Sequence, residues 1–179
     1  MQDSSYNAPD LNRDGEPSLT PESTAKLRGL QIITVCLIMG SCLFMLVTLF
    51  FSEGALELNP DILSWIAVGF AVFVFLLSFV FPGNMLRRQL SEVDVSDFEN
   101  KLPADRQTDL LTLFHGPHIV ACAMFEGAVF FNLVAYMVTP FAGNIGAAIF
   151  LILVMAARFP IRVRITKWIN DISHEFAVR

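Results

Sequence analysis

Four apolar blocks with almost no charge constrain the fold of this chain more than any other feature of its sequence. They cover residues 29–52, 62–81, 117–139 and 141–157, and Glu126 is the only Asp, Glu, Lys or Arg among them. A helix needs about 20 residues to cross the hydrocarbon core of a bilayer, and the fourth block is near the lower limit of that length. Lipid cannot satisfy backbone N–H and C=O groups, so each block must be helical. We therefore predict an all-α membrane protein with four transmembrane helices.

The basic residues divide the chain into two sides. All 12 Lys and Arg precede the first block, lie between the second and third, or follow the fourth, and the other two connections have none. Because positively charged loops stay in the cytoplasm, we predict cytoplasmic N- and C-termini. The residues concerned are Arg13, Lys26, Arg28, Arg87, Arg88, Lys101, Arg106, Arg158, Arg162, Arg164, Lys167 and Arg179.

The blocks and their connections predict five segments. Residues 1–20 form a polar, disordered tail, 21–88 the first transmembrane hairpin, and 89–114 a cytoplasmic connector with a short helix over 104–114. Residues 115–160 form the second hairpin, and 161–179 an amphipathic tail. Thr20 is the expected N-cap of the first helix, with Pro21 at its first helical position.

The amphipathic tail has two interpretations. Its apolar residues recur at helical spacing, which is typical of a helix lying in the headgroup region, with Trp168 as an interfacial anchor. The alternative is that this apolar face packs on the cytoplasmic loop of the protein itself. The face consists of Ile161, Ile165, Trp168, Ile169, Ile172 and Phe176.

An internal similarity relates the first block to the third. Displacing the chain by 87 residues makes six positions between 29 and 47 identical, and a second match, at another offset, relates Phe81-Pro82 to Phe159-Pro160. We interpret this as two parallel tandem hairpin repeats in a four-helix bundle, related by a pseudo-two-fold axis along the membrane normal. Chance similarity between apolar helices is the alternative. The identical pairs are Gly29/Gly116, Ile32/Ile119, Gly40/Gly127, Phe44/Phe131, Leu46/Leu133 and Val47/Val134.

Glu126 lies near the middle of the third block, where a charged side chain costs at least about 2.5–3.5 kcal/mol. We expect it to face the bundle, and Glu126 with Asn132, which should hydrogen-bond between helices, is the candidate ion-binding site. A transition-metal site is the alternative. His118, Cys122 and Glu126 follow one another at intervals of four residues, which places these possible metal ligands on one helix face, and His115 lies one turn earlier. No ligand pair of matching spacing occurs on another block, so we expect no cofactor.

The sequence around Glu126 carries two resemblances. Met124 to Val134, MFEGAVFFNLV, resembles the carboxylate-bearing helix of rotary-ATPase proteolipid (c) subunits. That resemblance implies that Glu126 binds a proton or a sodium ion. More broadly, the chain resembles small bacterial four-span proteins of no assigned function that carry an A-x-x-E-[GA] helix, here Ala123 to Gly127. The second resemblance implies a bacterial cytoplasmic membrane protein and no activity.

These observations favour a structural or interaction component of a membrane assembly. A proton- or cation-linked transport component that uses Glu126 is the alternative. No nucleophile–base pair, phosphate loop or nucleic-acid signature is visible, so neither an enzyme nor a nucleic-acid-binding protein is expected. The expected partners are the lipid bilayer and either further copies of the chain or another membrane protein.

Overall fold

The computed structural model describes residues 19–52, 56–91 and 101–177, and this part of the chain is almost entirely helical. Its only extended pairing is an isolated bridge between Glu57 and Phe141. The all-α prediction is therefore confirmed for the described residues, while most of the tail predicted to be disordered (1–18) lies outside them. The helices are α1 (Pro21–Phe51), α2 (Ile62–Ser91), α3 (Pro103–Val138), α4 (Ala142–Ala157) and α5 (Arg162–Ala177).

Three of these helices, α1, α2 and α3, are long and apolar enough to cross a membrane. A fourth span results if α4 and the first part of α5, which meet at a bend of 61°, are counted as one broken span. In the described part of the chain, three to four helices are thus, by length and composition, compatible with an integral membrane protein.

Polar side chains fix where α1 and α2 begin. The Thr20 hydroxyl accepts a hydrogen bond from the backbone N–H of Ser23 at 3.1 Å, with Pro21 at the first position of α1. The predicted N-cap is confirmed. Asp61 does the same for α2, because its Oδ1 accepts from the backbone N–H of Ser64 at 2.8 Å.

Contacts between helices establish their relative directions. Residues about 85 positions apart lie side by side on α1 and α3, such as Ser23 and Thr108, so these helices run parallel. Helix α2 is antiparallel to α3 and parallel to α4, as shown by the pairs Asp61–Thr139, Ala67–Asn132, Ser64–Asn144 and Ser78–Arg158. The starts of α1 and α3 and the ends of α2 and α4 therefore share one end. The Lys and Arg residues among the described residues lie at this end, which we call the basic end.

Helix α3 is the centre of the protein. It packs against α1, α2, α4 and α5, and its most apolar window is 50% buried, compared with 17% for α1. Phe125, Val129 and Leu133 of α3 are fully buried in the core that it shares with α2 and α4. At the end opposite the basic end, the backbone of Glu57 pairs with the α3–α4 turn. Its N–H donates to Pro140 O, and its carbonyl oxygen accepts from Ala142 N–H.

The third span continues the helix predicted for the connector, because α3 runs without interruption from Pro103 to Val138. The boundary of the span at residue 115 stays a prediction. Pro117 lies inside the helix. A proline removes one backbone donor and disturbs one turn, yet the helix is packed in the interior on both sides of it. Leu110 and Leu111, before the proline, are as deeply buried as the residues that follow it. The short helix predicted over 104–114 is therefore the first part of the central helix.

Helix α5 packs on the protein itself, as the second interpretation of the tail proposed. Ile165 and Ile169 are each 2% exposed and form a cluster with apolar residues from the starts of α1 and α3. The Trp168 ring lies 5.3 Å from the ring of Phe114. The part of the Trp168 ring that packs on Phe114 cannot also contact the lipid headgroups. The role of Trp168 as an interfacial anchor stays a prediction.

The packing bears on the tandem repeat in two ways. The side-by-side offset between α1 and α3 is 84 to 86 residues for their side-chain pairs, close to the displacement of 87 in the sequence. However, α3 and α4 pack extensively against each other, whereas α1 and α2, the corresponding pair, do not do so among the described residues. The internal repeat stays a prediction.

Candidate functional site

One face of α3 places His118, Cys122 and Glu126 beside α1. The His118 ring Nε2 is 3.2 Å from the Thr34 hydroxyl of α1 and 3.6 Å from the Cys122 Sγ. Four-residue spacing puts the three side chains on successive turns of one helix face. They form a row that starts near the basic end and reaches the middle of the span.

The Thr34 contacts indicate which nitrogen of His118 carries a proton. The Thr34 hydroxyl lies 2.9 Å from the Leu30 carbonyl oxygen, to which it can only donate. Its oxygen then accepts from His118, so Nε2 is the protonated nitrogen. Nε2 is therefore already used in a buried bond between α1 and α3.

Glu126 lies at the edge of the contact between α3 and α1, half-buried and close to Gly40. A Cβ atom placed on Gly40 would be 3.4 Å from Glu126 Oε1, so the glycine makes room for the carboxyl group. Within the described part of the chain, Glu126 has no hydrogen-bond partner. Ala123 and Gly127, its neighbours on the outward side, are exposed. We call Gly40, Ala123, Glu126 and Gly127 the Glu126 face.

Asn132 contacts a different helix from Glu126. Its Nδ2 donates to Ala67 O of α2 at 3.0 Å and to Ala128 O of its own helix at 2.9 Å. The expected bond between helices is present. Both acceptors are carbonyl oxygens, which fixes the orientation of the amide and leaves the buried Oδ1 without a partner among the described residues. The structure does not unite Glu126 and Asn132 in one ion site, because they lie on different sides of α3.

The four residues of the possible metal site do not converge. Both ring nitrogens of His115 face backbone carbonyls, with Nδ1 2.8 Å from Leu111 O and Nε2 3.1 Å from Lys26 O. Within residues 19–52, 56–91 and 101–177, no group of three or more His, Cys, Asp or Glu side chains is placed to hold a metal ion. The helical spacing aligned these residues along α3, but a metal also needs ligands from a second direction.

Comparisons with family models, with curated proteins and with solved structures found no match.

Arg158, which follows α4, belongs to the same interior region and was missed by sequence reasoning. Its guanidinium lies 5.0 Å from the Phe79 ring centroid and 5.3 Å from that of Phe125, and Nη1 donates to Ser78 O at 3.2 Å. A signal existed in the sequence. The fourth block is the shortest, so a basic residue directly after it has little helix length to carry it out of the hydrocarbon region.

Most polar side chains of the region are engaged in hydrogen bonds within the protein. His118 binds Thr34, Asn132 binds backbone carbonyls and Arg158 binds Ser78 O. The Glu126 carboxyl group has no hydrogen-bond partner among the described residues and can therefore take one from outside them.

Proposed function

We propose that this protein is a structural or interaction component of a membrane assembly, and that the Glu126 face is where it contacts its partner. The observation that carries the proposal is the carboxyl group of Glu126, half-buried at mid-span with no hydrogen-bond partner among the described residues. A polar group in hydrocarbon gains most from a partner supplied by a neighbouring helix.

The residues around Glu126 support close approach by such a helix. Ala123 and Gly127 flank it on the exposed surface of α3, and no other group occupies the space where a Gly127 side chain would be. Small residues let helix backbones come near each other, which strengthens packing and shortens hydrogen bonds between helices. A partner helix that carries a hydroxyl, amide or carboxyl group at the same depth fits this surface.

The second candidate is a proton- or cation-linked transport component that uses Glu126. It is favoured by the row of His118, Cys122 and Glu126, which leads from near the basic end to mid-span. Ser41, next to Gly40 on α1, adds a fully buried hydroxyl that has no hydrogen-bond partner among the described residues. Chains of polar groups of this kind mark ion pathways in membrane proteins.

We also propose a membrane topology, a helix arrangement and a class of partner for this protein. The distribution of basic residues supports four spans with both termini in the cytoplasm, and the resemblance to small bacterial four-span proteins supports a bacterial cytoplasmic membrane. The sequence match between the first and third blocks supports two tandem hairpins in a four-helix bundle. Further copies of the chain or another membrane protein are the proposed partners, in keeping with the resemblance to small bacterial four-span proteins.

Substitution of Glu126 separates the two candidate functions. The full chain is purified in a mild detergent, its complexes are weighed by native mass spectrometry, and ion flux is measured after reconstitution in liposomes. If Glu126 serves assembly, Glu126→Gln keeps the complex because the amide still donates and accepts, and Glu126→Leu loses it. If Glu126 carries ions, Glu126→Gln abolishes flux while the complex stays intact.

Gly69→Leu of α2 is the matched control, because Gly69 is exposed and has open space around it. It should change neither the complex nor the flux. A wild-type protein that is monomeric without any partner, or a Glu126→Leu variant that keeps its complex, would contradict the assembly proposal.

A further inference from the structure

Arg158 is a half-buried cation whose orientation is fixed by its surroundings. The rings of Phe79 and Phe125 contact the guanidinium, and one of its five N–H donors bonds to Ser78 O. The faces of aromatic rings carry partial negative charge and therefore attract a cation that lies against them. Arg158 forms no ion pair with any described residue. Its remaining donors are thus available to an acceptor from outside the described residues.

The two helices whose ends meet at Arg158 contribute no acidic residue to its surroundings. Neither α2 nor α4 contains an Asp or Glu. Two described carboxylates of the basic end are engaged elsewhere, since Glu22 pairs with Lys26 and Asp109 with Lys101. The arginines that share this side of the protein are exposed and have no ion-pair partner among the described residues; they are Arg87, Arg88, Arg162 and Arg164.

The position of Arg158 along α4 places it near the membrane boundary. The 16 residues of α4 span about 24 Å, compared with about 30 Å for the hydrocarbon core. A cation at the end of such a helix lies just inside the hydrocarbon boundary, and a short span thins the bilayer locally, which brings the phospholipid phosphates toward that cation. Phe79, on the outer side of the guanidinium, is 61% exposed, so this side borders the surface that faces lipid.

We propose that Arg158, held between Phe79 and Phe125 at the ends of α2 and α4, binds a phosphate group presented by a phospholipid headgroup. The guanidinium fork matches two phosphate oxygens, and charge-assisted bonds of this type are about twice as strong as neutral ones. The exposed arginines add a long-range attraction that salt screens. The site is independent of the Glu126 face and of the function proposed for it.

Lipid binding to the purified full chain tests the site. Phosphatidylglycerol is titrated in mild detergent, and the bound lipid molecules are counted by native mass spectrometry. In parallel, inorganic phosphate is added, and the melting temperature of the protein is measured. Arg158→Gln should weaken phosphatidylglycerol binding by about tenfold or more, which is the scale of one lost charge-assisted contact. Arg158→Lys keeps the charge but loses the forked guanidinium, so its affinity for phosphatidylglycerol should lie between those of Arg158→Gln and the wild type.

Arg164→Gln is the matched control, because Arg164 is exposed and bonds to Ala157 O next to the same site. It should bind phosphatidylglycerol nearly as the wild type does. If inorganic phosphate displaces the lipid from the wild type but has no effect on the variants, the phosphate site stands and a soluble phosphate is its ligand. If Arg158→Gln and Arg158→Lys both bind the lipid like the wild type, the proposal is overturned. Should the Gln variant fail to fold, the Lys variant alone decides between these results.

Discussion

Backbone carbonyls are the main hydrogen-bond partners of the polar side chains inside the helices. Asn132 donates to Ala67 O, Arg158 to Ser78 O, and both nitrogens of His115 face carbonyl oxygens. Each carbonyl in a helix already accepts one bond and has a second lone pair. A side chain that reaches a neighbouring helix therefore finds an acceptor there without a matching polar side chain.

Asn132 provides a prediction at this scale. Asn132→Ala removes buried volume and two hydrogen bonds, and should lower the free energy of unfolding by about 2 kcal/mol or more. Asn132→Leu should cost clearly less, because leucine fills the volume and the carbonyls keep their helical bonds. Unfolding in mixed detergent micelles measures both. Val134→Ala, at a position 47% exposed, is the control. A Leu variant as unstable as the Ala variant would show that the hydrogen bonds of Asn132 decide its contribution.

The stability of a helix end depends on single capping residues. Asp61 joins the start of α2 to the end of α3, since Oδ1 accepts from Ser64 N–H and Oδ2 from the Thr139 hydroxyl. The Ser64 N–H above all, and then the Thr139 hydroxyl, lower the pKa of Asp61 below its ordinary value of 3.8. The ionised form is therefore the one that the folded protein stabilises.

The sign of this shift predicts how acid acts on α2. Asp61 stabilises the fold at pH values above its ordinary pKa of 3.8, and that contribution is lost as the pH falls through the lower pKa of the folded state. Asp61→Asn should flatten this part of the pH dependence of the melting temperature. Hydrogen exchange at the first turn of α2 should become faster in Asp61→Ala at neutral pH. Equal acid sensitivity in the wild type and the Asn variant would contradict the role of Asp61.

Helix α5 gives a second prediction at the scale of elements. Ile165→Ala opens a cavity in the cluster that joins α5 to the starts of α1 and α3, and should weaken this docking by about 2–5 kcal/mol. Limited trypsin digestion at the exposed Lys167 should then be faster. Val163→Ala, on the exposed side of α5, is the control and should be cut like the wild type. Identical cleavage rates for the two variants would show that α5 is not held by Ile165.

The molecule as a whole has a basic end and an opposite end, and this asymmetry predicts its orientation. After replacement of Cys36, Cys42 and Cys122, a membrane-impermeant maleimide applied to intact cells should label Asn59→Cys and leave Leu102→Cys unlabelled. Both positions are exposed and they lie at opposite ends of the helices. Labelling at Leu102 and protection at Asn59 would reverse the orientation that the basic residues predict.

The sequence by itself determined the features that depend on local composition. Apolar blocks of spanning length predict helices whatever their neighbours are, and the Thr20–Pro21 start of α1 follows from capping chemistry within four residues. The cost of a carboxylate in hydrocarbon singled out Glu126 in the same way. These inferences hold because each involves a short stretch of chain and its solvent.

The tertiary structure decided everything that depends on which helix lies beside which. Apolar helices resemble one another on all faces, so their sequences carry little information about the choice of neighbour. Helix α3 continues through Pro117, and packing turns the apolar face of α5 toward α1 and α3 and directs Glu126 to α1 and Asn132 to α2. It also brings Arg158 between two rings from other helices, Phe79 and Phe125, which no local pattern in the sequence relates to it.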